Sequence, residues 1–298
     1  MGKMSAFTSA SAADMDSNFA NINIPILSTS GSTTSNLKTK LGDLKDSILA
    51  NLGVSSNLPT ANAGLHNSIY RGKSLGTSVS AAQYNAIDNG SFTDMFIGDY
   101  WTINSKVYRI AAFDYWYNNG DSACSKHHVV LVPDANLASG GMNPTNTTEG
   151  GYVGSDMYTN AESALATAKG IINTAFSGHL LSHREYLCNA VSSGYPSAGA
   201  WYDSVVDLMN EPMVYGSYIF TGVNSGTNIP ALYTISKSQL PLFALRPDLI
   251  CNRYDWWLRG VVSSAYFARV LNNGNASYGN ASYSHGVRPA FGICKSGV

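Results

Sequence analysis

A chain of 298 residues has room for one large domain or two smaller ones with a sizeable core. Charged residues make up only 12%, about half the usual quarter, and the formal net charge is −1, which leaves no basic footprint for nucleic acid. No apolar run approaches membrane-spanning length, so no insertion into a bilayer is expected.

The start, MGKMSAFTSASAADMD, has no apolar core and carries Asp14, so no signal peptide is expected. Residues 1 to about 30 are rich in Ser, Ala and Asn around one apolar island, Ile22 to Leu27, and read as extended chain that needs a partner to settle. Leu37, Leu41, Leu44 and Ile48 then fall at spacings of four, three and four, which predicts a short helix over 36–52 with Gly53 as its stop. The seam is narrow, as in a coiled coil, but Gly42 interrupts it, so self-association and packing on the body both stay open. Residues 1–65 are therefore read as an attachment or oligomerisation segment and 66–298 as the body.

Along the body, Ser78 to Asn89 predicts a helix, and DYWTINSKVYRIAAFDYW predicts two strands around Asn104-Ser105. HHVVLV (127–132) is a third strand. Thr159 with Glu162 matches a capping box ahead of the periodic Ala164, Leu165, Ala168, Ile171, Ile172 and Ala175, a helix ended by Gly178. Ser182 with Glu185 matches a second box, which predicts a helix to about Val191. Residues 201–215 read as helical or irregular, and 236–250, with two prolines, as a packed loop. In Ala268-Arg269-Val270-Leu271, alternation turns Ala268 and Val270 inward and Arg269 and Leu271 outward. Asn273-Gly274 is a hairpin signal, and Val287, Phe291 and Ile293 return the chain to a strand. Helices in the middle with strands at both ends predict an α+β fold.

Residues 254–291 stand apart. Trp256-Trp257-Leu258-Arg259 and Gly286-Val287-Arg288-Pro289-Ala290-Phe291 bracket a middle dominated by Asn, Ser, Tyr, Gly and Ala. Paratopes have a similar composition: Tyr gives rigid amphipathic contact area, while Ser, Asn and Gly give adaptable hydrogen bonding. A polar loop joining two strands has this composition too. From Gly260 to Gly286 there is no Lys, Glu, Gln, Met or Trp. Those are the five residues that an asparagine codon ending in a pyrimidine never reaches when only its adenines are randomised.

Together, the WWLR and GVRPAF frame and this restricted alphabet resemble the variable region of proteins diversified by retroelements, of which phage major tropism determinants are an example. The resemblance implies a C-type-lectin-like domain, related in fold to the formylglycine-generating enzymes, and a receptor-binding protein of a phage or prophage tail, made in the host cytoplasm. Its partners would be a bacterial surface protein or glycan, virion proteins through the N-terminus, and sister chains in a homotrimer. The implied ligand-binding face comprises Asp255, Gly260, Tyr266, Arg269, Leu271, Asn272, Asn273, Asn275, Ser277, Tyr278, Gly279, Asn280, Tyr283 and His285. Trp257, Ala268, Val270, Val287 and Phe291 would be the frame beneath it. An enzyme of the formylglycine-generating type and a structural virion protein are the alternatives.

Other chemistry is thinly signalled, and neither a catalytic residue nor a cofactor is expected. His179 and His183 lie four apart, but Leu180 stands where a zinc protease needs Glu. His127-His128 opens a strand, so its rings face opposite ways. Asn210-Glu211-Pro212 is similar to the calcium motif of true C-type lectins, yet Met213 replaces the asparagine that should follow, and a thioether is a poor calcium ligand. Cys124, Cys188, Cys251 and Cys294 are widely spaced and read as free thiols, whereas the formylglycine chemistry needs a close pair. Limited proteolysis of the whole chain should release a stable body beginning between Leu58 and Ser74; cleavage that unfolds the body would place the boundary elsewhere.

Overall fold

The computed structural model describes residues 23–28, 35–40, 62–221 and 238–298. The chain divides into two units, Met1–Thr60 and Ala61–Val298. In the first, β1 (Asn23–Ser28) and β2 (Ser35–Lys40) pair antiparallel, with Ile26 opposite Leu37. This corrects the helix expected over 36–52, because residues 36–40 are a strand. The β-branched Ile24, Ile26 and Thr39 all favour the extended ladder. Leu41, Leu44 and Ile48 lie outside the described residues.

The second unit opens with α1 (Ala63–Asn67) and α2 (Ala81–Asp88). Ser80 and Gln83 close a reciprocal capping box on α2. The strands β3 (Tyr100–Ile103), β4 (Lys106–Phe113), β5 (Val129–Pro133) and β6 (Ala138–Gly140) follow. Helices α3 (Asp156–Thr159) and α4 (Ala164–Phe176) come next. The cap of α4 is Ser163 and not Thr159: Thr159 ends α3, with its hydroxyl donating to Ser155 O, and Ser163 Oγ accepts from Ala166 N–H.

The helix expected from His183 to Val191 is a strand. β7 (His183–Ser192) and β8 (Tyr195–Ser204) form a long hairpin that turns at Ser193-Gly194, both at positive φ. His183, Glu185 and Leu187 are buried while Arg184, Tyr186 and Cys188 are only partly so, a period of two that overrides the apparent cap. β9 (Val206–Leu208) and α5 (Glu211–Tyr215) then replace the helical or irregular stretch. The expected loop before Ile250 holds α6 (Pro241–Leu245) and a 3₁₀ turn (Pro247–Ile250), each begun by a proline that lacks the N–H a first helical turn does not use. The remaining strands are β10 (Trp256–Val261), β11 (Tyr266–Val270), β12 (Ala276–Asn280), β13 (His285–Val287) and β14 (Pro289–Ile293).

Two five-stranded sheets result, in the orders β3-β4-β5-β14-β9 and β12-β11-β10-β13-β6. The second unit is an α+β domain whose last strand lies inside the sheet begun by its first. Trp256 joins the larger core cluster with Trp101, Trp116, Leu258 and Phe291, while Trp257 joins a second cluster with Leu208, Phe267 and Val287. Neighbours on a strand point to opposite faces, so the tryptophan pair clamps β10 from both sides.

The arginines of the two frame motifs are buried structural groups. Arg259 pairs with buried Glu185, whose Oε1 also accepts from Trp116 Nε1 at 2.9 Å. Arg288 donates to Pro133 O and to the carbonyls of Leu249 and Ile250, and its guanidinium lies 5.3 Å from the Trp256 ring centre. Burial brings its pKa down to about 10, against the opposing pull of the Asp134 carboxylate.

Burial works to raise the Glu185 carboxyl, but Arg259, with His183 beside it, outweighs that and holds it at about 2. A carboxylate depressed in the folded state adds stability that is present above the unfolded value and lost as pH falls through the folded one. Chemical denaturation should therefore show a contribution that fades from about pH 4.5 toward 2 and is missing in Glu185→Gln. Arg259→Met, which strands the carboxylate, should cost about 3–5 kcal/mol.

Candidate ligand-binding face

The hairpin β11–β12 closes through Leu271 to Asn275. Gly274, at φ +90, supplies the turn, Tyr215 Oη donates to Gly274 O at 2.9 Å, and Cys251 Sγ donates to Asn272 O at 3.0 Å. Asn272, Asn273 and Asn275 are exposed on this pinned tip, and Leu271 is half-buried. Ala268, Val270, Trp257, Val287 and Phe291, the expected frame, are all fully buried.

Register separates the expected face into two. Ala268 opposes Tyr278 and Tyr266 opposes Asn280, so these four share one side of the sheet. Arg269 opposes both Ser277 and Trp257, and these lie on the other side. Alternation turns Ala268 and Val270 into the larger core cluster and Arg269 to the side of Trp257, so the residues read as outward do not form a single surface.

On the first side the Tyr266 and Tyr278 ring centres are 5.3 Å apart, and Phe220 meets Tyr278 at the same distance. Tyr278 is 43% exposed and Phe220 38%, so this is an aromatic strip open to solvent. Phe220 was not expected here. It is held by Glu211, whose buried carboxylate accepts the backbone N–H groups of Ile219, Phe220 and Thr221 at 2.9–3.1 Å. Asn210 caps α5, so the Asn-Glu-Pro segment positions this loop by hydrogen bonds. The only hint in sequence is the apolar run Tyr218-Ile219-Phe220 after a glycine turn.

On the second side Asp255, Arg269 and His285 form a knot over Trp257. Arg269 Nη1 donates to Asp255 Oδ2 at 2.8 Å and to His285 Nε2 at 2.7 Å, while Asp255 Oδ1 accepts Asn272 N–H at 2.7 Å. A guanidinium only donates, so Nε2 must be the unprotonated nitrogen and the imidazole is neutral. Burial lowers the His285 pKa first, Arg269 lowers it further, and Asp255 opposes them; the result is about 4. Tyr283, 54% exposed, meets the His285 ring at 6.4 Å. Ser277 and Asn280 are half-buried at their margins.

Gly260 and Gly279 are not on either surface. Both are buried: a Cβ on Gly260 would stand 2.0 Å from Thr221 Oγ1, and one on Gly279 would lie 3.1–3.2 Å from His285, Arg269 and Trp257. Each lets another chain segment pass where a side chain would stand.

Elsewhere, His179 stacks on Tyr84 at 3.7 Å, and His183 on Trp116 at 3.8 Å. His127 Nδ1 pairs with Asp114 at 2.7 Å, and His128, fully buried, accepts Trp116 N–H at Nε2. All four cysteines are free thiols. Among the described residues no group of three or more His, Cys, Asp and Glu side chains is placed to hold a metal ion, and no helix is long and apolar enough to cross a membrane. No family model matches the chain, and neither a curated protein nor a solved structure matches it.

The knot gives a titration to follow. The His285 imidazole resonances should stay in the neutral form down to about pH 4, against about 6.5 for a free histidine. Arg269→Met should raise that midpoint and Asp255→Asn should lower it. Because the folded value is depressed, stability should fall as pH drops from about 6.5 toward 4.

Proposed function

We propose that this protein is a receptor-binding protein of a phage or prophage tail, in which a C-type-lectin-like body presents a variable, tyrosine-rich surface to the bacterial envelope. The observation that carries this reading is a contrast within residues 254–291. Trp256, Trp257, Ala268, Val270, Val287 and Phe291 are wholly buried, while Tyr278 and Tyr283, from the same short stretch, are half-exposed. Such side chains can change without disturbing the frame, and large rigid aromatics are the residues that most often dominate interface energy. The placement of the last strand inside the main sheet is in keeping with the proposed fold.

The test is adsorption to host cells beside thermal melts. Tyr278→Ala and Tyr283→Ala should each shift stability by no more than about 0.5 kcal/mol yet abolish or redirect adsorption. Trp257→Ala or Phe291→Ala should cost about 3–5 kcal/mol. If the tyrosine variants melt as badly as the frame variants, those residues are core and the reading fails. A near-copy of the codons for residues 254–291 beside a reverse-transcriptase gene would support diversification independently.

A further inference from the structure

A cleft of about 240 Å³ opens at the base of the β7–β8 hairpin, lined by Ser122 to Lys126, Ser182, His183, Arg184 and Asp203. It shares no residue with the tyrosine-bearing surface. Arg184 is its fixed point. Nε and Nη2 grip Asp121 at 2.7 and 3.0 Å, and Nη1 reaches Asp203 at 3.0 Å, so the guanidinium is held as a planar fork with protons to spare. Gly120, at φ +105, gives the fork its room: a Cβ there would lie 2.7 Å from Arg184 Cβ.

The charges nearly cancel. Arg184 is balanced by Asp121 and Asp203, and the Lys126 ammonium is tied to Ser296 O at 2.8 Å. A wall of donors alone would suit a phosphate, and a wall of carboxylates alone would suit a cation. Here donors (Arg184, Lys126), an acceptor (Asp203, 78% exposed) and Ser122, Ser125 and Ser182, whose hydroxyls do both, line one opening. His183 completes the wall. Its ring is buried on the opposite face of the ribbon from Arg184, stacked on Trp116 at 3.8 Å with Nε2 3.5 Å from Glu185, so it backs the cleft as a fixed support.

The next rung of the hairpin adds an apolar platform. Arg184 opposes Asp203 and Tyr186 opposes Trp201, so both rungs face the same side of the ribbon. The two rings meet edge to face at 5.5 Å, and Gly199, where a Cβ would lie 2.6 Å from the Tyr186 ring, leaves space for that ring to lie down. Mixed donors and acceptors at net neutrality beside a half-buried tryptophan match one ligand chemistry, a pyranose with a rim of hydroxyls and an apolar C–H face. We propose that this cleft binds a saccharide unit, as a second ligand site separate from the tyrosine-bearing surface.

Saturation-transfer NMR on the full chain tests this, using the methyl glycosides of glucose, galactose, mannose, rhamnose and N-acetylglucosamine, with inorganic phosphate as a control. At least one glycoside should bind, with the strongest transfer to its C–H face. Asp203→Ala and Trp201→Ala should each weaken it tenfold or more, and Tyr278→Ala should leave it unchanged. Asp203 is exposed enough that its variant keeps the fold, which circular dichroism verifies. Binding of none of the glycosides overturns the proposal, as does binding that survives both cleft variants. Loss of binding in Tyr278→Ala would move the sugar to the other surface, and binding of phosphate alone would make the cleft an anion site. Failure of adsorption by the tyrosine variants with sugar binding intact, or the reverse, separates this inference from the proposed function.

Discussion

Strand β10 has to be buried on both faces at once. Trp256 and Trp257 are consecutive, so they enter different core clusters, and the sheet that carries the hairpin β11–β12 cannot slide or tilt without emptying one of them. Arg259, two residues further on, extends the same strand to Glu185 on β7 and to the carbonyl of Leu208 on β9. Arg288 does similar work from the other end, reaching three carbonyls and the Trp256 ring. Buried charges are tolerated here because each is bonded on several sides.

Much of this arrangement was legible in the residues, where the signal is local. Asn273-Gly274 marked the hairpin, HHVVLV the central strand, and the spacing from Ala164 to Ala175 the long helix. The Ser182/Glu185 pattern misleads because a capping box and a serine followed by a strand that begins His-Arg-Glu look alike over four residues. The difference lies in Glu185's partner, Arg259, 74 residues away. Pairing at that distance leaves no periodic trace. For the same reason Gly260 and Gly279 passed as face positions: their lack of a side chain answers to Thr221, His285 and Trp257, which only the fold brings near.

The Asp255–Arg269–His285 knot shows where frame ends and face begins. Arg269 reads in sequence as an outward face residue, yet its guanidinium is committed to two partners, and Asp255 is committed to the hairpin tip as well. Residues engaged in this way hold the loop's shape. Tyr278 meets Tyr266 through tilted rings and Tyr283 meets His285 edge-on at 6.4 Å, while both keep about half their surface in solvent, so they contribute area without holding the loop's position.

A strand buried on both faces can vary only at its margins, and this sheet has two. One is the edge strand β12, where Tyr278 leaves the core side. The other is the stretch after it, where Tyr283 rises beside β13. The two margins look to opposite sides of the sheet, with the polar knot on the same side as Tyr283. A partner that contacts both would have to reach around β12, the edge strand of this sheet among the described residues, whose sequence, Ala-Ser-Tyr-Gly-Asn, carries neither the charge nor the proline that usually guards such an edge. A surface that met both margins would have to be grooved to receive this edge, because a flat one would reach only one margin at a time.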